Sequence, residues 1–154
     1  MNENERLGTQ RLYALFERYP AVATDSRRAG EGTIFFALRG DRFDGNRFAL
    51  AALDAGAACA VVDDPAVAAS AGEVYAGRIV TVDDALAALQ ALAREHRRRL
   101  GIPLLAIVGS NGKTTTKELV SRVLAERFEV YATHGNLNNH IGVPLTLLAM
   151  TRDT

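Results

Sequence analysis

The sequence predicts an α/β fold in two units: a small N-terminal α/β domain at residues 1–100 and the first part of a parallel-sheet domain at residues 101–154. Three observations carry that prediction. Short β-branched or aromatic runs alternate with Ala- and Leu-rich helical stretches. Leu104-Leu105-Ala106-Ile107-Val108 is a continuous apolar run, the pattern of a parallel strand buried on both faces. Gly101 separates that run from the long helix before it and so places the boundary between the units.

Taken in order, Leu12, Leu15, Phe16 and Tyr19 recur at helical spacing and predict an amphipathic helix ending near Pro20. Thr24-Asp25-Ser26-Arg27-Arg28, followed by Gly30 and Gly32, reads as a loop. Thr33 to Leu38 is a strand closed by Gly40, and Asp41 to Asn46 is a polar turn. Phe48 to Ala55 predicts a short helix stopped by Gly56. Ala58–Val62 and Ile79–Val82 predict two further strands, with a short helical turn at Asp64–Ala71 between them. Asp83 is placed to cap a long helix running to about Leu100, with Leu86, Leu89, Ala93 and His96 on one face. Beyond Gly101 the pattern predicts a strand at Leu104–Val108 and a helix at Thr114–Phe128 with Leu119, Val120, Val123 and Leu124 inward. A strand at Val130–Thr133 follows, and then a helix beginning at Ile141 with Pro144 in its first turn.

Composition narrows the function. Eighteen Lys and Arg balance eighteen Asp and Glu, so the chain lacks the basic excess that a general polyanion binder needs. Arg97, Arg98 and Arg99 are therefore read as a solvated helix end, where cations complement the helix dipole. Cys59 is the single cysteine and lies in the apolar run Ala57–Val62, which suits a small buried hydrophobe. His96 reads as a packed residue, and His134 and His140 form no metal-type spacing. The polar start Met1–Arg6 has no basic segment leading into an apolar one, and no run reaches membrane length, so a cytoplasmic protein is expected.

The chemistry is concentrated in Gly109-Ser110-Asn111-Gly112-Lys113-Thr114-Thr115, set between a predicted strand and a predicted helix. Glycines let backbone N–H groups approach phosphate oxygens, and the helix N-terminus adds positive partial charge at the same place. Lys113 supplies a full charge to the terminal phosphates, and the Thr114 hydroxyl is placed to ligate Mg²⁺. This is a nucleoside triphosphate site, with ATP the expected ligand and Lys113 the expected catalytic cation. The usual loop has four residues between its first glycine and the Gly-Lys-Thr. Here Gly109 stands only three positions before Gly112, so the loop is shorter.

That short loop resembles the loop of the Mur ligases, which build the peptide stem of bacterial peptidoglycan. Two further segments strengthen the resemblance. Thr24-Asp25-Ser26-Arg27, Gly32 to Gly40 and Phe43-Asp44-Gly45 look like the UDP-sugar-binding domain of the later-acting members. Gly135-Asn136-Leu137-Asn138-Asn139-His140-Ile141-Gly142-Val143-Pro144-Leu145-Thr146 looks like the member that adds a D-alanyl-D-alanine dipeptide. The resemblance runs from about Thr24 to Met150, with the motifs in the family's order. It implies ATP-dependent joining of D-alanyl-D-alanine to UDP-N-acetylmuramoyl-tripeptide through an acyl phosphate, with ATP and Mg²⁺ required. It also implies substrate contacts from Ser26, Arg27 and the Asp44-Gly45-Asn46 turn, and substrate or γ-phosphate contacts from Asn136, Asn138 and Asn139.

From Gly101 onward only two strands and two helices are predicted, too few to bury a parallel sheet. No acidic residue closes a strand after the loop to make a second Mg²⁺ contact. The expectation is therefore an N-terminal fragment of a longer ligase, without ligase activity of its own. Two other readings stay open: the sister ligase that adds the third amino acid, and a nucleotide-binding module without catalysis.

Overall fold

The computed structural model describes residues 3–135 and 137–154. Its centre is a four-stranded parallel sheet of β1 (Ala21–Ala23), β2 (Thr33–Phe36), β5 (Cys59–Val62) and β6 (Ile79–Thr81), in the order β1-β2-β5-β6. A small antiparallel pair, β3 (Arg39–Gly40) and β4 (Phe43–Asp44), extends from the end of β2. Among the described residues, six α-helices accompany the strands: α1 (Glu3–Arg18), α2 (Ala49–Asp54), α3 (Pro65–Ser70), α4 (Ala85–Leu100), α5 (Lys113–Ala125) and α6 (Gly142–Leu148). Among the described residues, no helix is long and apolar enough to cross a membrane.

The sheet's two faces follow from the two-residue period of a strand. Ile34, Phe36, Cys59 and Val61 face a core built with Leu12 and Phe16 of α1 and Leu89 and Leu92 of α4. Phe35, Ala37, Ala60 and Val62 face the opposite core, which Ala49, Ala52 and Leu53 of α2 complete. The central strands are thus apolar on both faces, which is why β5 reads as an uninterrupted run in sequence. Register is simple: Ile34 lies beside Cys59 and Phe36 beside Val61. Burial lifts the Cys59 thiol to a pKa of about 11, so it is a packing residue, as its apolar run suggested.

Several boundaries differ from the sequence reading. Strand β1 was not anticipated, because three residues at the sheet edge carry too short a pattern to read. The residue capping α4 is Asp84, not Asp83; its carboxylate accepts the Ala87 N–H at 2.8 Å. His96 is a buried pin. Its ring bridges the Tyr13 hydroxyl at 3.2 Å and the Met150 carbonyl, which accepts from Nε2 at 2.9 Å. Arg99 pairs with Glu95 at 2.8 Å and lays its guanidinium 3.9 Å from the Tyr13 ring centre. The helix end is thus solvated at Arg98 but packed at Arg99.

The larger correction concerns residues 104–108 and 130–133, where no strand forms. Leu105 is 64% and Val108 92% exposed. Helix α5 forms where expected but buries no residue, and Val123, expected inward, is 72% exposed. A central parallel strand exists only when neighbours pair with it on both sides, and residues 101–135 provide none. Helix α6 behaves differently. Leu148 joins the α1–α4 core, with Ile141, Leu145 and Leu147 packed around it.

These environments set different mutational costs. Leu89→Ala, in the filled core, is expected to lower stability by ~2–5 kcal/mol in urea unfolding. Leu119→Ala, on the bare face of α5, is expected to change it by no more than ~0.5 kcal/mol.

Candidate functional site

The phosphate loop is built by backbone geometry. Gly112 has φ of +75°, a left-handed conformation in which a side chain would be strained, and it enters α5 without a side-chain cap. The first N–H groups of α5 are therefore left for an anion. Lys113 Nζ donates to the carbonyls of Gly109 at 2.6 Å and Ser110 at 3.2 Å, so the ammonium lies folded over its own loop. Phosphate oxygens would take the place of those two carbonyls. Ser110, Asn111, Thr114 and Thr115 are all exposed around it.

Glycine backbone, free helix N–H groups and one lysine fit a polyphosphate. The fit to Mg²⁺ rests on the Thr114 hydroxyl alone, since no group of three or more His, Cys, Asp and Glu able to hold a metal occurs among the described residues. Lys117, which the sequence reading passed over, donates to the Thr133 carbonyl at 2.6 Å and ties α5 to the segment after it.

The Asn-rich segment is only partly described, with Asn136 outside the described residues. Asn138 is exposed. Asn139 is occupied: its Oδ1 accepts the N–H groups of Ile141 at 3.1 Å and Gly142 at 2.7 Å, which starts α6. Gln90 of α4 donates to the His140 carbonyl at 3.0 Å and fixes the segment to the first unit.

A second feature lies beside the sheet. Thr24, Asp25, Ser26 and Arg27 form one wall of an open cleft of about 400 Å³, and Phe43 and Phe48 form the other. Asp25 accepts the Arg27 N–H at 3.0 Å and starts a short 3₁₀ turn over Ser26–Arg28. It also takes the Arg27 side chain, from Nε at 3.0 Å and Nη2 at 2.7 Å. Those hydrogen bonds pull the Asp25 carboxyl down to a pKa of about 2.

The opposite wall is held from below. Asp44 Oδ1 accepts from the Asn46 N–H at 3.0 Å and from Asn46 Nδ2 at 2.8 Å. Asn46 is only 3% exposed, and its amide also exchanges two hydrogen bonds with Asp63. Gly45 is required by space, because a Cβ there would sit 2.6 Å from the Leu38 carbonyl oxygen. Asp63 then accepts from Arg39 Nε at 2.7 Å and from the Ala85 N–H at 3.3 Å. Burial raises the Asp63 pKa, yet the hydrogen bonds from Asn46, Arg39 and Ala85 hold it below the ordinary value overall.

Of the residues singled out by sequence, the structure brings Ser26 and Arg27 to the cleft and sets Gly45 and Asn46 beneath it. Phe43 lies in a motif already quoted but was given no role there, and Phe48 and Asp63 were not singled out. Two phenylalanines flanking a polar turn, outside any apolar periodicity, were the available signal.

Residues 18–97 match the family described as "Mur ligase family, catalytic domain", and residues 107–154 match "Mur ligase middle domain". The UDP-N-acetylmuramoyl-tripeptide--D-alanyl-D-alanine ligase of Bacillus subtilis is 46% identical over 133 residues, which is 86% of this chain and 28% of that protein. The ligase of the same name from Escherichia coli is 37% identical over 131 residues, covering 85% of this chain and 27% of its own length. Among solved structures, MurF from Acinetobacter baumannii superposes with a TM-score of 0.80 at 32% identity, over 94% of this chain and 33% of its own. MurF from Thermotoga maritima in complex with ADP gives 0.73 at 34% identity, over 87% of this chain and 29% of that one. The chain thus spans under a third of the length of the curated relatives it matches.

Two outcomes are expected from these contacts. In an NMR pH titration Asp25 has its midpoint near 2, and Arg27→Ala moves it up toward the ordinary value of 3.8. Since the folded pKa is the lower, the contribution of this pair is present above the ordinary value and is lost as pH falls toward 2. Asp63→Asn, which removes a half-buried acceptor of several donors, is expected to cost ~1–3 kcal/mol in urea unfolding.

Proposed function

The chain belongs to the Mur ligase family, and on that premise we propose that it is the N-terminal part of the ATP-dependent ligase that joins D-alanyl-D-alanine to UDP-N-acetylmuramoyl-tripeptide. The observation that carries this reading is the short loop Gly109–Thr115, opening α5 with its helix N–H groups free and Lys113 folded over it. In this reading residues 1–100 hold the UDP-sugar and residues 101–154 begin the ATP site. Ser26 and Arg27 face the diphosphate, while Asp44, Gly45 and Asn46 shape the turn beside it. Asn136, Asn138 and Asn139 belong to the edge shared with the γ-phosphate.

The chemistry follows from the poor reactivity of a carboxylate toward an amine. A tripeptide carboxylate oxygen attacks the γ-phosphorus, the bond to the β–γ bridging oxygen breaks, and ADP leaves. The dipeptide amine then attacks the activated carbonyl, loses its proton, and expels inorganic phosphate. Negative charge moves onto the transferring group and the ADP oxygen, so the main requirement on the protein is electrostatic. Lys113 and the α5 N–H groups would meet it, and the Thr114 hydroxyl would hold a Mg²⁺ that supplies further charge neutralisation.

Asn139 supports the dipeptide-adding assignment only indirectly, since its side chain already caps α6. A substrate panel on the full-length protein therefore decides between this ligase and the sister enzyme that adds the third amino acid.

Isothermal titration of the 154-residue chain tests the reading. The UDP-sugar tripeptide is expected to bind, and Lys113→Ala is expected to leave that binding intact while weakening ATP at least ~tenfold, the loss of about one charge-assisted contact. No product is expected from the chain with ATP and dipeptide, because α5 lacks a sheet to seat it. Failure to bind the UDP-sugar, or ATP binding indifferent to Lys113, would sink the proposal.

A further inference from the structure

Helix α5 presents an inversion. Its apolar Leu119 and Val123 face water, while the side chain of Lys117 is only 19% exposed. Lys117 Nζ donates to the Thr133 carbonyl at 2.6 Å and lies 3.1 Å from the Glu118 carboxylate. Holding a long lysine side chain in one place costs rotamer entropy, and a helix that buries no residue offers little packing in return. The ammonium is held by what it contacts. No strand forms at 130–133, so the Thr133 carbonyl has no ladder partner, and the cation supplies a charge-assisted donor instead.

Both ends of this contact lead to a functional element. Lys117 stands four residues after Lys113, one turn along the helix that the phosphate loop opens. Helical side chains lean toward the N-terminus, so its ammonium reaches back toward the loop end of α5. On the other side, Thr133 leads into a stretch that is fixed step by step. The Leu137 N–H donates to the His134 carbonyl at 3.2 Å. Leu137 lies so close to Gly142 that a Cβ there would sit 2.6 Å from the Leu137 backbone. Asn139 starts α6, and Gln90 of α4 holds the His140 carbonyl. Among the described residues, Lys117 to Thr133 is the one side-chain hydrogen bond between α5 and this stretch.

We infer that Lys117 is a positioning residue: it registers the phosphate loop against the Asn138–His140 segment, so that a nucleotide seated on the loop is sensed there. This rests on the ATP reading of the loop and goes beyond it, since Lys117 touches the segment rather than the phosphates. Coupling between two places is carried by contacts that change when one of them is occupied. Phosphates on the loop bring negative charge within about one helical turn of Lys117, and Coulomb attraction draws its ammonium toward the loop. The Thr133 carbonyl follows its donor. The tight stretch beyond it transmits that movement to Asn139 and the His140 carbonyl.

The probe is ATP with Mg²⁺, added to the isotope-labelled 154-residue chain and followed by NMR. In the parent, amide signals of Gly109–Thr115 are expected to shift together with those of His134, Gly135 and Asn138–His140. Lys117→Met keeps the aliphatic stem and removes the ammonium. It is expected to hold ATP affinity within about threefold and to retain the loop shifts, while the shifts beyond Thr133 disappear. Without nucleotide, the Thr133 carbonyl carbon signal is expected to move in the same variant, with the far-UV circular dichroism unchanged. Loop shifts in the parent with none beyond Thr133 overturn the inference, with no variant needed. So do distant shifts that persist in Lys117→Met. Loss of ATP binding in a folded Lys117→Met chain makes Lys117 a phosphate ligand and also overturns the positioning role. These outcomes leave the ATP reading standing, whereas a parent chain that binds no ATP sinks that reading and this inference together.

Discussion

One carboxylate holds the functional edge of the sheet together. Asp63 follows the last residue of β5 and meets three other parts of the chain: Arg39 of β3, Asn46 beneath the cleft, and the first N–H of α4. These parts are joined by no continuous strand or helix, so Asp63 adds a long-range tie to a β3–β4 hairpin otherwise held by its short ladder and by the Gly45 N–H on the Leu38 carbonyl. Partly removing a charge from water is costly, and the three donors compensate for it; the net effect is a carboxylate held in its ionised form. The cleft wall at Phe43 and Phe48, the entry to α2 and the start of α4 all inherit their positions from this contact.

A second dependence runs through α4. His96 links the Tyr13 hydroxyl of α1 to the Met150 carbonyl just beyond α6, and Gln90 holds the His140 carbonyl. The segment after the phosphate loop is therefore anchored to the first unit even though α5, which follows the loop, buries no residue. A polar pin in an apolar layer is favourable only when both ring nitrogens have partners, and here they do. The arrangement sets the Asn-rich segment against α4 while α5 stands free of any sheet.

The phosphate loop illustrates a local site whose surroundings are not local. Its conformation needs only Gly112 in the left-handed region, the turn into α5, and Lys113 satisfied by two carbonyls. Those features persist although Val108 before it and Val123 after it face water. Chemistry of phosphoryl transfer asks for more than a loop, because exclusion of water and a second metal ligand come from other elements.

Much of this was legible in the sequence where the determinant is short-range. The β-branched and aromatic run Thr33–Leu38 marked β2, the apolar period marked α1 and α4, and Gly-Lys-Thr marked an anion site at a helix start. The family motifs drew attention to Ser26, Arg27 and the Asp44–Asn46 turn, though not to how they are used. Tertiary structure alone decided that Asn46 and Asn139 spend their side chains on internal hydrogen bonds, and that Phe43 and Phe48 stay outside the core. It also decided that Leu104–Val108, an apolar run fit for a central strand, pairs with nothing. The physical reason is the same in each case. Dihedral preference and hydrophobic period are written into neighbouring residues, whereas burial and pairing depend on which distant residues arrive to provide a partner.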